Sequence, residues 1–325
     1  MAKLNKYLPT LFNTMFYNTN QPLNFWQKFV FLMFLVIGIG SLSSFLSLVL
    51  GAPLFGIDWK EIENLSNNMD DTAVVQFYKF SQFFAVWGYM IIPSILFYSL
   101  RKIKPMYGLG MSNMPNWTAI FLAVVLMIGF LPFINAMAAL NAELQLPQSL
   151  NNITNWMREA ENENNQLITA FLNASNWSDY GFTFLIMAIL PAFGEEMLFR
   201  GVLQPSIEQS LKNKHAAIWI TAFVFSFIHF QFYGFLPRFI LGAGLGYLYA
   251  YSGQLRLPIA AHFANNAFAL ISIKLIENDV IQVSPDEWGV GENLALELVI
   301  STALIGIFLF GLIKTGAFKS KVITE

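Results

Sequence analysis

The chain has 325 residues, of which 56% are hydrophobic and 12% are charged, and its formal net charge is −2. Soluble domains carry about 25% charged residues, so the composition favours a membrane protein, and no basic block supports binding to nucleic acid. The absence of cysteine excludes disulfides, a thiolate metal site and a cysteine nucleophile.

The predicted elements are long apolar helices. The first apolar run begins near Phe25, after a polar start, so we interpret it as a true span and not as a cleavable signal peptide. A helix needs about 20 mostly apolar residues to cross a bilayer. Six runs approach or exceed that length with few charges: 26–50, 75–100, 118–141, 216–237, 238–255 and 294–316. Two more, 181–204 and 256–276, qualify if ionisable residues are tolerated within them. The sequence therefore predicts an all-α polytopic membrane protein of about eight transmembrane helices.

The charges between these runs predict the topology. Acidic segments occupy 58–71, 158–165 and 277–288. With eight spans, every basic loop falls on the opposite side, where positive charge accumulates at Lys3, Lys6, Arg101, Lys102, Lys104, Lys212, Lys214, Arg256, Lys314, Lys319 and Lys321. Because basic loops stay on the cytoplasmic side, we expect both termini in the cytoplasm. A bacterial inner membrane is the expected location, and the endoplasmic reticulum is the alternative.

Four regions follow from these boundaries: a cytoplasmic N-terminal segment (1–25), a three-helix membrane region with an outer loop (26–180), a helical core (181–276), and a last part with an outer loop, the final span and a basic tail (277–325). The stretch 143–180 is rich in Asn and Glu and predicts an outer loop with helical stretches. Gly242 and Gly246 are four residues apart, and such pairs allow helices to pack closely.

Ionisable residues inside the run 181–204 require an explanation. A charge at the bilayer centre costs about 2.5–3.5 kcal/mol on insertion scales, so such residues are usually paired or functional. Glu196 and Arg200 are at i,i+4 positions, which suit an ion pair. Glu195 points about 100° away around the helix and is left to face something else. A purely structural ion-pair cluster at a helix end is the alternative interpretation.

Two of the three histidines also lie in predicted spans. His215 follows a Lys-rich stretch and is predicted at the surface, whereas His229 and His262 lie within apolar runs. If the helices on either side of the turn "LKNKH" form an antiparallel hairpin, Glu195 and His229 lie level with each other. His262 and Asn266 share one helix face. The sequence thus permits an intramembrane polar pocket that combines a carboxylate, two imidazoles and an amide.

Such groups suit hydrolysis. A carboxylate and an imidazole can activate water, and a second imidazole and an amide can donate hydrogen bonds to a developing oxyanion. That combination is typical of peptide or ester hydrolysis. Glu195, His229 and His262 could instead hold Zn²⁺, since two histidines and a glutamate are a catalytic ligand set. The sequence has no H-E-x-x-H motif, which excludes the zincin arrangement of soluble enzymes.

Three short motifs resemble a known family. "EEMLFR" (195–200), "FSFIH" (225–229) and "HFANN" (262–266) resemble the EExxxR, FxxxH and HxxxN motifs of the CAAX prenyl protease and bacteriocin-processing family. Its members are intramembrane endopeptidases related to the type II CAAX prenyl endopeptidases. The resemblance covers roughly residues 180–275, and the motifs occur in the family's order.

The resemblance implies a role for each matched residue. Glu195 would be the catalytic carboxylate, working with His229 to activate water, and His262 and Asn266 would stabilise the oxyanion. Members are commonly described as metalloproteases, but a metal-free mechanism is also argued for them, and with only two histidines at the site we favour the metal-free version. Two further residues of the first motif would support the site: Glu196 and Arg200.

Two other classes of function stay open. An ion-coupled transporter could use Glu195 and the histidines as a proton relay, and Pro191 and Pro258 are expected to interrupt helices near the polar residues. Transporters of that kind show inverted repeats, which this sequence lacks. A non-proteolytic membrane scaffold or immunity protein is the third hypothesis. The expected partners of the endopeptidase are the membrane and a peptide or membrane-protein substrate.

Overall fold

A computed structural model describes residues 23–60, 62–143, 146–173, 176–282, 287–291 and 293–318. Within these ranges the chain is helical and contains no β-strand. The long helices are α1 (Phe25–Phe55), α2 (Thr72–Ser99), α3 (Trp117–Ala142), α4 (Asn151–Leu172), α5 (Trp177–Leu211), α6 (Lys214–Phe227), α7 (Phe235–Ser252), α8 (Arg256–Glu277) and α9 (Leu294–Lys314). Short helical turns occupy Ile62–Asn67, Pro105–Gly108 and Gln148–Leu150. Four of the lysines used to predict the topology lie outside the described residues: Lys3, Lys6, Lys319 and Lys321.

Six of the described helices are long and apolar enough to cross a membrane: α1, α2, α3, α5, α8 and α9. The predicted all-α polytopic membrane fold is therefore confirmed. The number of eight spans stays a prediction, because α6 has only 14 residues and α7 does not reach the hydropathy of the other six. Helix α4 lies within the stretch predicted as an outer loop with helical stretches, and α5 begins four residues before the predicted span 181–204.

The boundary predicted between the runs 216–237 and 238–255 is wrong. Helix α6 ends at Phe227 and α7 begins at Phe235, so His229 lies in the connecting turn and not within a span as expected. Hydropathy reports side chains, and the apolar residues Ile228, Phe230 and Phe232 continue the apolar run through this turn. The backbone conformation marks the turn, since Phe230 is left-handed with φ of 51°.

A buried amide of α3 holds this turn in place. The side chain of Asn141 donates from Nδ2 to the carbonyl oxygen of Phe232 (2.8 Å). Its Oδ1 accepts from the backbone N–H of Leu236 (2.9 Å). Both bonds satisfy backbone groups that have no partner within a helix. The position of the turn therefore depends on a residue about ninety positions earlier in the chain.

Two helices contain wide π-helical turns, and each turn is followed two residues later by a proline. Proline has no N–H and its ring clashes with the carbonyl four residues earlier; an inserted residue relieves the clash without ending the helix. The expected interruption at Pro191 is thus a widening of α5. Pro258 does not interrupt a helix at all, because it lies in the first turn of α8, where its missing N–H removes no bond. The three wide turns and the prolines that follow them are Trp87–Ile91 with Pro93 in α2, and Leu185–Ile189 with Pro191 and Phe199–Leu203 with Pro205 in α5.

Helix α5 is central to the packing and contacts α2, α6 and α8. The hairpin predicted between α5 and α6 is confirmed, with Lys212 in a left-handed conformation at the turn. Close packing at Gly242 is also confirmed, since a methyl group there would lie 3.1 Å from the ring of Phe225. At the other end of α5, Asp179 forms a buried ion pair with Lys79 of α2 (2.6 Å).

Candidate active site

A fully buried ion pair on α5 anchors the site. Nη1 of Arg200 lies 2.7 Å from Oε1 of Glu196, and both side chains have no exposed surface, which confirms the pair expected from their spacing. Nη2 of Arg200 donates to the carbonyl oxygen of Gly242 (2.8 Å), and the guanidinium lies 4.7 Å from the centroid of the Phe225 ring. Arg200 therefore connects α5 to both α6 and α7. The close approach at Gly242 is what brings that carbonyl within reach.

Glu196 has a second partner that the sequence did not predict. Nδ1 of His262 lies 2.8 Å from Oε1 of Glu196, and His262 is only 3% exposed. A carboxylate oxygen paired with a guanidinium acts as an acceptor, so the proton of this hydrogen bond is assigned to Nδ1. One carboxylate oxygen thus binds both the arginine of its own helix and the histidine of α8. Such a contact fixes the orientation of the imidazole.

Glu195 faces the other way and lines a cavity of about 420 Å³. It is 9% exposed, and its Oε2 lies 3.8 Å from Nε2 of His262. That separation is within the range of an ion pair but is longer than a hydrogen bond. The two adjacent glutamates therefore have different surroundings, as their 100° offset on the helix implies: Glu196 is enclosed by fixed donors, and Glu195 is open to the cavity.

The remaining candidate residues line the same cavity. Nδ1 of His229 contacts the carbonyl oxygen of Phe225 (2.7 Å), an acceptor, so the proton is on Nδ1 and Nε2 is the free nitrogen. Asn266 is half-buried, and its Oδ1 accepts from Nδ2 of Asn265 (3.3 Å), which leaves its own amide nitrogen to donate. All four residues proposed for catalysis thus meet at one cavity: Glu195, His229, His262 and Asn266.

Sequence reasoning missed several polar groups of the cavity. Helix α4 covers part of it, so the segment predicted as an outer loop with helical stretches contributes to the site. Arg238 stands in "FLPRFILG", and an ionisable residue in an apolar run is the same signal that singled out Glu195. The amides carry no comparable signal in the sequence. The additional polar lining residues are Gln82, Asn164, Gln231, Arg238 and Asn265.

The candidate zinc ligands do not form a ligand set in this arrangement. Over the ranges that the structure describes, no three His, Cys, Asp or Glu side chains are grouped so that they could hold a metal ion. Each imidazole uses Nδ1 for another acceptor, as metal-bound histidines also do, and Oε2 of Glu195 lies 3.8 Å from Nε2 of His262. In the described residues, Glu195, His229 and His262 therefore do not fit Zn²⁺ as they lie.

Comparisons with known proteins agree with the position of this site. Residues 177–268 match the family model described as type II CAAX prenyl endopeptidase Rce1-like, and this range contains all three motifs. Over 94 residues the chain is 33% identical to an uncharacterized protein of Bacillus subtilis (strain 168), YpbD; the match covers 28% of this chain and 45% of YpbD, so the chain spans less than half of that relative. No solved structure matches. Over residues 177–268, the part of the chain that carries the candidate site, the sequence is therefore similar to the Rce1-like type II CAAX prenyl endopeptidases.

Proposed function

We propose that the protein is an intramembrane endopeptidase that hydrolyses a peptide bond in a membrane-associated peptide or protein. The observation that carries the proposal is the different setting of two adjacent glutamates. Glu196 holds Arg200 and His262, whereas Glu195 faces a cavity that also contains His229 and an amide. An ion-pair cluster that served only the fold would not need a second carboxylate open to a cavity.

In the proposed reaction, Glu195 takes a proton from a water molecule whose oxygen attacks the carbonyl carbon of the scissile bond. His229 binds the same water through Nε2. Asn266 and His262 donate hydrogen bonds to the oxyanion that forms. The C–N bond then breaks, and the proton passes from Glu195 to the leaving nitrogen, so that the products are a carboxylate and an amine.

The hydrogen bond to Glu196 sets a condition on His262. Because Nδ1 is already bonded to that carboxylate, His262 donates to an oxyanion from Nε2 only when both ring nitrogens carry protons. Glu196 would then act through His262 and not on the substrate. The proposal therefore makes Glu196 and Arg200 positioning residues of the site.

The test compares peptides from the membrane and medium of cells that carry the wild type with those from cells that carry Glu195→Gln at the same abundance. New termini that appear only with the wild type would support the proposal and identify a substrate. The same assay in the presence of a chelator measures whether cleavage needs a metal ion. Identical peptide profiles for the two chains would contradict the proposal and favour a transporter or a scaffold.

We further propose that the chemistry belongs to the core 181–276, in a bacterial inner membrane with both termini in the cytoplasm. Its support is that the four candidate catalytic side chains all come from this core, and that the basic loops follow the positive-inside tendency.

A further inference from the structure

One charged group of the cavity has no role in the proposed hydrolysis. The half-buried side chain of Arg238 lines the same cavity as Glu195 and His262. Nη2 of Arg238 donates to Oε1 of Gln231 (2.5 Å), and Nη1 approaches the carbonyl oxygen of Gln231 (3.4 Å). Both of these partners are neutral.

The other arginine of the site is neutralised, and Arg238 is not. Arg200 is bonded to Glu196, whereas none of the ion pairs formed by the described residues includes Arg238. Glu161 of α4 and Glu195 of α5 act on its charge through space, but neither is within the 4 Å of an ion pair. A half-buried guanidinium without a carboxylate partner is unfavourable, so its retention in the cavity calls for a ligand.

The turn between α6 and α7 is shaped to hold this guanidinium. A methyl group on Gly234 would lie 2.7 Å from Nη2 and 3.4 Å from Cζ of Arg238. The φ of Gly234 is −100°, a value that any residue can adopt, so the backbone conformation does not require glycine. A side chain at this position would instead push the flexible end of Arg238 away from the turn. Gly234 and Gln231 together fix the guanidinium at the wall of the cavity.

We propose that Arg238 binds a carboxylate of the substrate and thereby determines which peptides are cleaved. The carboxylate would come from the C-terminus of the peptide or from an Asp or Glu side chain, and would lie in the cavity beside the scissile bond. A guanidinium matches a carboxylate with two parallel hydrogen bonds, and the amides of Asn164 and Asn265 line the same cavity. This inference rests on the proposed endopeptidase function.

The test uses the purified full-length protein in lipid vesicles and three versions of one mixed-sequence peptide pool. The first has free C-terminal carboxylates and no acidic side chains, the second has C-terminal amides and no acidic side chains, and the third has C-terminal amides and one Asp per peptide. Cleavage is followed by mass spectrometry for the wild type, Arg238→Gln, Gly234→Ala and Arg158→Gln. Arg158 is an exposed arginine that contacts the same turn through Tyr233, so it serves as the matched control.

We expect the wild type to cleave a carboxylate-bearing pool roughly 10–100-fold faster than the neutral pool, as a charged hydrogen bond implies. Arg238→Gln should bring this ratio close to one, mainly through KM. Gly234→Ala should lower it to an intermediate value, and Arg158→Gln should keep it. A preference for the first pool identifies the C-terminus as the source of the carboxylate, and a preference for the third identifies the side chain.

Two outcomes would overturn the inference in different ways. Equal cleavage of all three pools by the wild type, with the same result for Arg238→Gln, rejects the role of Arg238 and leaves the endopeptidase function standing. No cleavage of any pool by the wild type rejects the endopeptidase function, and the inference with it.

Discussion

Glu195 and Glu196 are adjacent in the chain, yet their surroundings assign them opposite tasks. Glu196 is fully buried and accepts from two donors through one oxygen, while Glu195 has a cavity in front of it. A buried charge is tolerated only when it is paired. The residue that holds the fold together and the residue proposed for chemistry can therefore be separated by their effects on stability.

Glu196→Gln should destabilise the protein by about 3–5 kcal/mol, the usual result of removing one partner of a buried ion pair. It would leave the fully buried Arg200 without a carboxylate partner. Glu195→Gln should change the stability much less, because its carboxylate borders a cavity. Thermal unfolding of the two purified variants measures the difference. Equal melting temperatures would contradict the division of roles.

Phe225 is the residue that joins the two histidines to the ion pair. Its ring lies 5.1 Å from the His229 ring, 6.1 Å from the His262 ring and 4.7 Å from the Arg200 guanidinium. Its carbonyl oxygen also orients His229. In this fold the phenylalanine of the FxxxH motif therefore holds both imidazoles at the cavity.

Phe225→Leu should lower the rate of cleavage by roughly tenfold or more, because a small misplacement of catalytic groups is costly. Phe227→Leu is the matched control, since Phe227 is 48% exposed and points away from the site. Single-turnover cleavage by both variants provides the comparison. A loss of the same size in the control would show that the effect is not specific to the histidines.

At the scale of the elements, the wide turns of α5 decide where its polar residues point. The turn Leu185–Ile189 precedes Glu195, and the turn Phe199–Leu203 contains Arg200. Pro205 cannot bond the carbonyl oxygen of Gly201, four residues earlier, and the hydroxyl of Tyr98 donates to it instead (2.7 Å). Helix α2 thus supplies a donor to a carbonyl oxygen that Pro205 leaves without its usual α-helical partner.

Pro191→Ala should allow the first wide turn to close into a regular α-helix. With the wide turn closed, the extra residue would shift into the regular helix. The polar residues that follow would then rotate relative to the start of the helix by about 100°. We therefore expect cleavage to fall strongly and the melting temperature to fall as well, because Glu196 and Arg200 would lose their contacts with His262 and with the carbonyl oxygen of Gly242. Pro132→Ala in α3, where the structure has no wide turn, should leave cleavage unchanged. Full activity of Pro191→Ala would show that cleavage does not depend on the wide turn.

At the scale of the whole molecule, the charge of the loops predicts its orientation in the membrane. The native chain has no cysteine, so Lys104→Cys and Asn152→Cys each introduce a unique label at an exposed position. Helix α3 lies between the two positions. A membrane-impermeant maleimide should label Asn152→Cys on intact cells and Lys104→Cys only after the membrane is opened. The reverse pattern would contradict the orientation predicted from the basic loops.

Local features were predictable from the sequence alone. Composition and run length determine the all-helical membrane fold, and a spacing of four residues determines the pair of Glu196 and Arg200, because both ends lie on one helix. The hairpin of α5 and α6 follows from a short polar turn. These features depend on residues that are close to one another along the chain, so they can be predicted from the sequence.

Only the tertiary structure decided which distant residues meet. The contact between Glu196 and His262 joins positions 66 residues apart, and the turn that carries His229 is held by Asn141 of α3. Arg238 is visible in the sequence as an ionisable residue in an apolar run, but its place beside Glu195 and His229 depends on the cavity and on the space left by Gly234. Such contacts depend on how helices pack side by side, and packing is determined by shape and hydrogen bonding across the whole molecule, which no local pattern records.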